Sequence, residues 1–257
     1  MKIVMPMAGR GSRFTKVGIV KPKPLIEVLG KTLVEWSIEG MRQTYPAVTD
    51  SDFVFICHAD HERDFQISQI LRGLTGPSAT VLFTPVVTEG AACTVLLAKE
   101  TIDPEEDMLM VDADHFVICP ELIKIKEEAR RKDWGGIIPV IERNAPHYSY
   151  ARLDEAGNVV ETREKQVISN HAAVMYYFTK WRYFVSAAEA MVAQNIRYNN
   201  EFYMCPVYNE VIAQGKIVRT VPTQLALHLG TPEELEYFAT HVPGEYTGRP
   251  VNIQANT

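Results

Sequence analysis

The sequence lacks several features that would assign it to particular classes of protein. None of its apolar runs approaches the length of a membrane span, and residues 1–10 lack the charged and apolar regions of a signal peptide. Its four cysteines are widely spaced, without a Cys-x-x-Cys pair, which favours buried free thiols over disulfides. We therefore expect a cytoplasmic protein that does not bind membranes.

A basic character is also missing. The formal net charge of −6 and a pI near 5.7 argue against generic binding to nucleic acid or to an anionic membrane surface. A small phosphorylated substrate stays open, because a local group of cations can sit in an acidic protein. The length of 257 residues allows one large α/β domain or two small ones.

Apolar strands alternate with amphipathic helices over the first half of the chain. Thr32 and Glu35 form a capping-box pattern that predicts the start of the first helix. The alternation predicts a parallel sheet covered by helices on both faces. Predicted strands span residues 2–7, 53–57, 80–83 and 108–111, and predicted helices span residues 32–41, 64–74 and 91–99.

The pattern becomes richer in strands after about residue 134. Predicted strands span residues 136–141, 148–153, 159–162 and 172–178, followed by predicted helices at 181–194 and 201–214. No repeat, low-complexity segment or clear linker interrupts the chain. We therefore expect one domain over residues 1–257, with halves at about 1–133 and 134–241 and a loose tail at 242–257.

A glycine-rich loop follows the first predicted strand. Gly9 and Gly11 allow the backbone to approach a phosphate closely, and successive N–H groups can form an anion-binding nest. Arg13 and Lys23 add positive charge where a polyphosphate would lie. Phe14 stands where a dinucleotide-binding loop needs its third glycine, and the Gly-Lys-Ser/Thr ending of a Walker A loop is missing. The pattern indicates a third kind of phosphate loop.

Two further polar clusters follow predicted strands, at residues 88–90 (Thr-Glu-Gly) and 112–114 (Asp-Ala-Asp). Ligands of an open parallel sheet bind at the carboxyl ends of its strands, where all three clusters fall. Asp112 and Asp114 alone would favour a turn or a helix cap. Beside a phosphate loop, the pair favours a divalent cation that keeps waters and binds phosphate oxygens.

With these motifs the chain resembles the sugar-nucleotidyltransferase family, also called nucleoside-diphosphate-sugar pyrophosphorylases. The resemblance rests on residues 8–13 (Ala-Gly-Arg-Gly-Ser-Arg), 21–25 (Lys-Pro-Lys-Pro-Leu) and 230–233 (Gly-Thr-Pro-Glu), and so covers nearly the whole chain. Residues 88–94, 164–165, 169–170 and 200–203 are similar to a subgroup that includes phosphocholine and other cytidylyltransferases of bacterial capsule and lipopolysaccharide biosynthesis.

The resemblance implies an α/β fold of the Rossmann-like GT-A type, with a mostly parallel central sheet covered by helices and a strand-rich acceptor-binding half at about 134–241. Residues 1–133 would form the nucleotide-binding half. The implied activity is a Mg²⁺-dependent nucleotidyltransferase reaction, with Mn²⁺ as the alternative ion. The phosphate of a small-molecule acceptor, such as a sugar 1-phosphate, attacks the α-phosphorus of a nucleoside triphosphate, and pyrophosphate leaves. The subgroup favours CTP.

The resemblance also implies roles for individual residues. Arg13 and Lys23 would be catalytic, with Arg13 holding the departing β- and γ-phosphates and Lys23 stabilising charge at the α-phosphate. Asp112 and Asp114 would hold the metal, and Lys165 would bind the phosphate of the acceptor. The implied nucleotide site comprises Ala8, Gly9, Gly11, Ser12, Arg13, Lys23, Thr88 and Gly90, and the implied acceptor site comprises Glu164, Lys165, Asn170 and Glu201.

Two positions depart from the family pattern. His228 stands where many relatives carry a second metal-binding aspartate, and a neutral imidazole is a poor ligand for Mg²⁺. We expect the metal to be held by Asp112, Asp114 and the phosphates of the substrate. Met175 stands where relatives often carry glycine, so its bulk would narrow the acceptor pocket or indicate an acceptor other than a hexose.

Several alternatives remain open from the sequence. Lys165 could simply pair with Glu161 or Glu164, and Glu201 could be a carboxylate at the start of a helix. A GT-A glycosyltransferase would use the Asp112–Asp114 pair but would leave Arg13 and Lys23 without a role. A non-catalytic nucleotide-binding module would fit if His228 abolishes metal binding. The sequence also leaves a homo-oligomer open.

Overall fold

The computed structural model describes residues 1–9 and 11–247, with Ser12 described by its backbone alone. The strands are β1 (Lys2–Met7), β2 (Glu27–Val28), β3 (Lys31–Thr32), β4 (Phe53–His58), β5 (Thr80–Thr84), β6 (Met108–Met110), β7 (His115–Ile118), β8 (Gly136–Glu142), β9 (Ser149–Leu153), β10 (Val159–Glu164), β11 (His171–Ala173), β12 (Tyr176–Phe178), β13 (Val218–Pro222) and β14 (Leu225–His228). The helices are α1 (Ser12–Thr15), α2 (Leu33–Thr44), α3 (Ala59–Phe65), α4 (Ile67–Thr75), α5 (Ala91–Leu96), α6 (Pro120–Arg131), α7 (Trp181–Ala193), α8 (Val207–Ala213), α9 (Pro232–His241) and α10 (Gly244–Thr247).

One ten-stranded sheet runs through both halves of the chain. Strands β6, β1, β4 and β5 are parallel neighbours. The first three are apolar runs that are mostly buried, as expected for strands with both faces covered, whereas Phe83 of the edge strand β5 is exposed. Strand β12 continues the sheet antiparallel to β6, and β8, β11, β9 and β10 follow, with β13 parallel to β8. The predicted α/β fold with parallel central strands is confirmed.

Helix α2 shows how local sequence and packing agree. The Thr32 hydroxyl accepts a hydrogen bond from the Glu35 amide at 3.3 Å, so the predicted N-terminal cap is present. The helix packs on β7 at a buried glycine, because a Cβ atom on Gly40 would lie 2.6 Å from the Val117 carbonyl oxygen. This close approach fixes the position of β7 beneath the helix.

The predicted strand 172–178 is divided into β11 and β12. The division lies at Val174 and Met175, where the sheet branches: β11 pairs with β9, whereas β12 pairs with β6. Both parts keep β8 as their other neighbour, and the Val174 amide donates to the Pro139 carbonyl at 3.0 Å. Met175 is fully buried at this branch point.

The helix predicted over 64–74 is also divided, because Gln66 has a left-handed φ of 52° and separates α3 from α4. The helix predicted over 201–214 begins only at Val207. Pro206 precedes it, and a proline disfavours helical geometry in the residue before it. Strands β7, β13 and β14 and helices α6 and α9 have no counterpart among the sequence predictions.

The start of the predicted tail is packed against the domain. Val242 is buried, and the Tyr246 ring lies 5.3 Å from the ring of Phe116. Helix α10 covers Gly244–Thr247. The rest of the predicted tail, residues 248–257, lies outside the described residues.

The cysteines are free thiols, three of them buried (Cys57, Cys119 and Cys205) and one half-buried (Cys93), in agreement with the sequence prediction. Across residues 1–9 and 11–247, none of the helices combines the length and apolar character that a membrane crossing requires.

Two helical glycines offer a test of the α2–β7 contact. We expect Gly40→Ala to lower the free energy of unfolding by about 2 kcal/mol, because the new methyl group meets backbone atoms that cannot move aside. Gly73→Ala in α4 meets open space and should raise stability by roughly 0.5–1 kcal/mol through helix propensity. Urea unfolding of both variants measures the difference, and equal effects would contradict the close packing.

Candidate active site

A cleft of about 480 Å³ opens at the carboxyl ends of β1 and β6. The loop after β1 forms one wall, the Asp112–Asp114 segment forms the floor, and residues of β9, β10 and β12 form the opposite wall. The structure therefore brings the two predicted halves of the site together. The predicted residues that line this cleft are Gly9, Gly11, Arg13, Lys23, Asp112, Asp114, Glu164, Lys165 and Glu201.

The glycine-rich loop after β1 is held by its own glycine and by a buried phenylalanine. Gly11 has a left-handed φ of 59°, and its carbonyl accepts from the Phe14 amide at 3.0 Å, which starts the short helix α1. The Phe14 ring is buried with Leu33 and Trp36, so the loop is anchored to the core at this point. Arg13, one residue earlier, remains exposed at the cleft.

Lys23 and Asp114 meet at the floor of the cleft, although they are 91 residues apart in sequence. The Lys23 ammonium donates directly to Asp114 Oδ2. Burial disfavours the charged form of Asp114, but Lys23 and His115 outweigh it and hold the pKa of this carboxyl below its ordinary value. Burial raises the pKa of Asp112, against the opposing charge of His115. The two carboxylates therefore differ in environment: the charge of Lys23 favours the ionised form of both, but its hydrogen bond goes to Asp114.

His228 and His115 form a half-buried pair next to this floor. His228 Nδ1 lies 3.0 Å from His115 Nε2, and His115 Nδ1 lies 3.6 Å from Asp112 Oδ2. Burial, assisted by the neighbouring His115, lowers the pKa of His228 to about 2. The imidazole of His228 is therefore neutral at physiological pH, as the sequence analysis assumed.

The Gly-Thr-Pro motif at residues 230–232 forms the N-terminal cap of helix α9. The Thr231 hydroxyl accepts from the Glu234 amide at 3.2 Å and caps the helix, and the Glu234 carboxylate accepts from the Gly230 amide at 2.8 Å. A Cβ atom on Gly230 would lie 2.8 Å from Asp114 Oδ2. The motif thus places bare backbone against the floor carboxylate.

Glu164 is a buried carboxyl on the wall formed by β9, β10 and β12, 7% exposed. It accepts a hydrogen bond from the Ser149 hydroxyl, and the Tyr176 hydroxyl lies 3.5 Å from the same Ser149 oxygen. Burial raises the pKa of Glu164 to about 6, although the Ser149 hydrogen bond and Lys165 oppose the shift. The group is therefore a hydrogen-bonding carboxyl that titrates close to neutrality.

Lys165 is paired with an aromatic residue. Its ammonium donates to the Tyr203 hydroxyl at 2.7 Å and lies 4.5 Å from the centre of the same ring. The alternative pairing with Glu161 is not observed, since that carboxylate pairs with Arg152 and Arg163. Glu201 is exposed and lies ahead of α8, so the interpretation as a helix-start carboxylate is wrong.

Four predicted residues lie away from the lining of the cleft. Ala8 is buried directly after β1. Gly90 caps α5, and Thr88 bonds to its carbonyl at 3.1 Å, while the neighbouring Ala91 does line the cleft. Asn170 is exposed, and its carbonyl accepts from the Arg143 amide at 3.1 Å. The side chain of Ser12 is not described.

Sequence reasoning missed several cleft residues, namely His115, Tyr148, Ser149, Tyr176 and Tyr203. Ser149 and Tyr176 stand in strands that the sequence did identify, but their facing toward the cleft depends on tertiary packing. Tyr203 stands within the motif at residues 200–203, and that motif is the sequence signal that could identify it.

A metal ion in this cleft would need coordinating groups from a bound substrate as well as from the protein. Over residues 1–9 and 11–247, no group of three or more His, Cys, Asp or Glu side chains is arranged to hold a metal. Asp112 and Asp114 offer hard oxygen donors at the floor of the cleft, and Mg²⁺ commonly uses one or two carboxylates with waters and substrate phosphates. The residues present therefore fit Mg²⁺ only as part of a complex with a phosphorylated substrate.

Comparisons with known proteins agree with this geometry. The family model described as Nucleotidyl transferase matches residues 2–216 of the chain. A solved nucleoside-diphosphate-sugar pyrophosphorylase from Vibrio cholerae RC9 is 25% identical to it, with a TM-score of 0.78 over 92% of this chain and 99% of that chain. No curated protein matches the sequence.

Two further solved structures share the fold at lower identity. The inositol-1-phosphate CTP transferase from T. maritima is 14% identical, with a TM-score of 0.69 over 91% of this chain and 90% of that one. A UDP-glucose pyrophosphorylase complexed with UDP-glucose is 16% identical, with a TM-score of 0.72 over 96% of this chain and 99% of that one. These likenesses confirm the predicted Rossmann-like architecture.

Glu164 should make stability depend on pH. Its raised pKa means that its protonated form stabilises the fold below pH 4.5, and that this contribution is lost as the pH rises through about 6. We expect Glu164→Gln to gain about 2 kcal/mol relative to wild type between pH 4.5 and 7. Urea unfolding across this range measures the difference.

Glu161→Gln on the same strand is the matched control. The hydrogen bond from Arg152, with that from Arg163, lowers the pKa of Glu161 below its ordinary value, so any contribution of this carboxylate to stability is present above that value and is lost only at lower pH. Its difference from wild type should stay flat over that range. A flat profile for Glu164→Gln as well would contradict the buried titrating carboxyl.

Proposed function

Since this chain belongs to the nucleotidyl transferase family, as its motifs predict, we propose that it transfers a nucleoside monophosphate from a triphosphate to a phosphorylated small molecule, such as a sugar 1-phosphate. The enzyme class follows from the family. One observation carries the choice of substrates: Lys23, after the glycine-rich loop, and Lys165, at the end of β10, face the same cleft. We call the wall formed by β9, β10 and β12, on which Lys165 lies, the acceptor wall. Two separated cations suit two phosphorylated substrates.

The proposed reaction joins the two phosphates directly. An oxygen of the acceptor phosphate attacks the α-phosphorus, the bond to the bridging oxygen of the β-phosphate breaks, and pyrophosphate leaves with the electron pair. A phosphate is already an anionic nucleophile, so the step needs positioning and charge neutralisation more than a protein base. The cations and carboxylates of the cleft are suited to those two tasks.

Each cation has a separate task in this proposal. The backbone around Gly9 and Gly11 would hold the phosphates. The exposed Arg13 would hold the β- and γ-phosphates, which depart as pyrophosphate. Lys23 would stabilise the charge that develops at the α-phosphate. Its present partner, Asp114, keeps the ammonium at the floor of the cleft before the triphosphate arrives.

Asp112 and Asp114 would hold Mg²⁺ together with phosphate oxygens, and the bound ion would neutralise phosphate charge. Mn²⁺ is the alternative ion. His228 is not assigned as a ligand, because its hydrogen-bonded partner is His115 and Mg²⁺ prefers oxygen. The ion would thus enter with the triphosphate.

On the acceptor side, Lys165 would bind the phosphate, and Glu164 and Glu201 would bind polar groups of the acceptor. The motif similarity to cytidylyltransferases favours CTP, and a neighbour with the same fold is an inositol-1-phosphate CTP transferase. We propose a cytoplasmic role in supplying activated precursors for surface polysaccharide. A pyrophosphate-release assay with four triphosphates and a panel of phosphorylated acceptors tests these choices.

The same assay separates the other classes. A glycosyltransferase would transfer from a preformed nucleotide sugar and release no pyrophosphate, and a binding module would bind triphosphate without turnover. Pyrophosphate release that requires both substrates supports the nucleotidyltransferase.

Lys23→Ala should reduce turnover by about 10²–10³, because a charge that stabilises the transition state is lost. Lys21→Ala is the matched control, since Lys21 is an exposed lysine two residues earlier that pairs with Glu27 at 2.9 Å. We expect that control to keep turnover within about twofold. Pyrophosphate release measures both, and full activity of Lys23→Ala would contradict the proposed role.

Triphosphate binding should depend on the divalent ion. We expect CTP to raise the melting temperature with Mg²⁺ present and to lose most of this effect after chelation, because Asp112 and Asp114 otherwise repel the phosphates. Asp114→Asn should remove most of the Mg²⁺-dependent part of the shift. An equal shift with and without Mg²⁺ would contradict the proposed metal site.

A further inference from the structure

Residues 195–203, between α7 and α8, cross from the acceptor side of the cleft to the loop before α5; we call this segment the strap. Three asparagines in it have left-handed φ angles, of 55° at Asn195, 46° at Asn199 and 65° at Asn200. Asparagine tolerates this conformation better than most residues. The sequence of the strap therefore favours the turns that its backbone makes.

Phe202 fastens the strap to the loop on the other side. Its amide donates to the Glu89 carbonyl at 2.8 Å, and its carbonyl accepts from the Ala92 amide at 3.1 Å. The backbones approach so closely that a Cβ atom on Gly90 would lie 2.4 Å from the Phe202 carbonyl oxygen. The Phe202 ring is fully buried beneath this contact.

Arg197 covers the same junction from outside. Its guanidinium pairs with Glu89 at 2.5 Å and lies 4.0 Å from the centre of the Phe202 ring. Its remaining N–H groups donate within the strap, to the Asn195 side chain at 2.5 Å and to the Asn200 carbonyl at 3.1 Å. One side chain thus ties three parts of the junction together.

The strap contributes to the acceptor wall of the cleft. Glu201 and Tyr203, on either side of Phe202, both line the cleft, and the Tyr203 hydroxyl holds the Lys165 ammonium at 2.7 Å. Lys165 itself has a left-handed φ of 51°. A shift of the strap would therefore move the proposed acceptor-phosphate ligand as well.

The loop before α5 is also held by hydrogen bonds that do not involve the strap. The Thr94 amide donates to the Gly90 carbonyl at 3.0 Å, and the Thr88 and Thr94 hydroxyls lie 2.5 Å apart. These bonds anchor the loop to its own helix. Weakening the contact between the strap and this loop should therefore displace the acceptor wall more than the loop before α5.

We propose that Arg197 is a positioning residue for the acceptor: by pairing with Glu89 and covering Phe202, it holds the strap, and through Tyr203 it holds Lys165, at a fixed distance from the nucleotide. The inference rests on the proposed function. Arg197 does not line the cleft, so it acts through these neighbours and not by contact with substrate.

The test compares Arg197→Ala, Arg197→Lys and wild type by pyrophosphate release. We expect Arg197→Ala to raise the KM for the acceptor about tenfold, with the KM for the triphosphate changed by less than about twofold. Arg197→Lys retains the charge at Glu89 and should recover part of the loss. Hydrogen exchange gives an independent measurement, in which the Phe202 amide should exchange faster in Arg197→Ala.

Arg182→Ala is the matched control. Arg182 also pairs with a carboxylate, Glu105 at 2.5 Å, and lies 4.9 Å from an aromatic ring, that of Tyr183. It stands at the start of α7, outside the strap, and it does not line the cleft. In Arg182→Ala, the KM for the acceptor and the KM for the triphosphate should both stay within about twofold of wild type.

The outcomes separate the inference from the function on which it rests. If wild type turns over and Arg197→Ala keeps its acceptor KM and the protection of the Phe202 amide, the positioning role is wrong and the proposed function stands. A parallel rise in both KM values, or a similar change in Arg182→Ala, would also overturn it. If wild type releases no pyrophosphate with any acceptor, the proposed function fails and the inference fails with it.

Discussion

The parallel pairing of β1 with β6 is the constraint on which the site depends. It brings the carboxyl ends of two strands, more than a hundred residues apart in sequence, to one edge of the sheet. The glycine-rich loop follows one strand and the Asp112–Asp114 segment follows the other, so Lys23 and Asp114 can meet. Helix α9 then completes the floor, since its capping motif sets Gly230 against the same carboxylate.

The sequence predicted the parts of the molecule in which local pattern and tertiary structure agree. Apolar runs identified β1, β4 and β5, and the Thr32 cap identified the start of α2. Motif residues also located part of the cleft, because Lys23, Asp114 and Lys165 stand in the segments that connect successive strands. In these places one short segment contains enough information to define its own structure.

Other features depend on partners that are distant in the chain. The division of 172–178 into β11 and β12 follows from two different neighbouring strands, which no local pattern reveals. The His115–His228 pair joins β7 to β14 through their antiparallel register, and neither strand was predicted. The junction between Glu89 and Arg197 likewise joins residues 108 positions apart. Propensity and periodicity carry no information about such pairings.

The buried carboxyl of Glu164 has a thermodynamic consequence for ligand binding. A group whose pKa lies at about 6 exchanges protons with the solvent when its surroundings change. In the proposed reaction, an acceptor whose hydroxyl groups donate to Glu164 would favour the carboxylate, so its binding would release protons to the buffer. The heat measured on binding would then vary with the ionisation enthalpy of that buffer, and the acceptor would bind more tightly as the pH rises toward neutrality. The cleft would thus couple acceptor recognition to proton release.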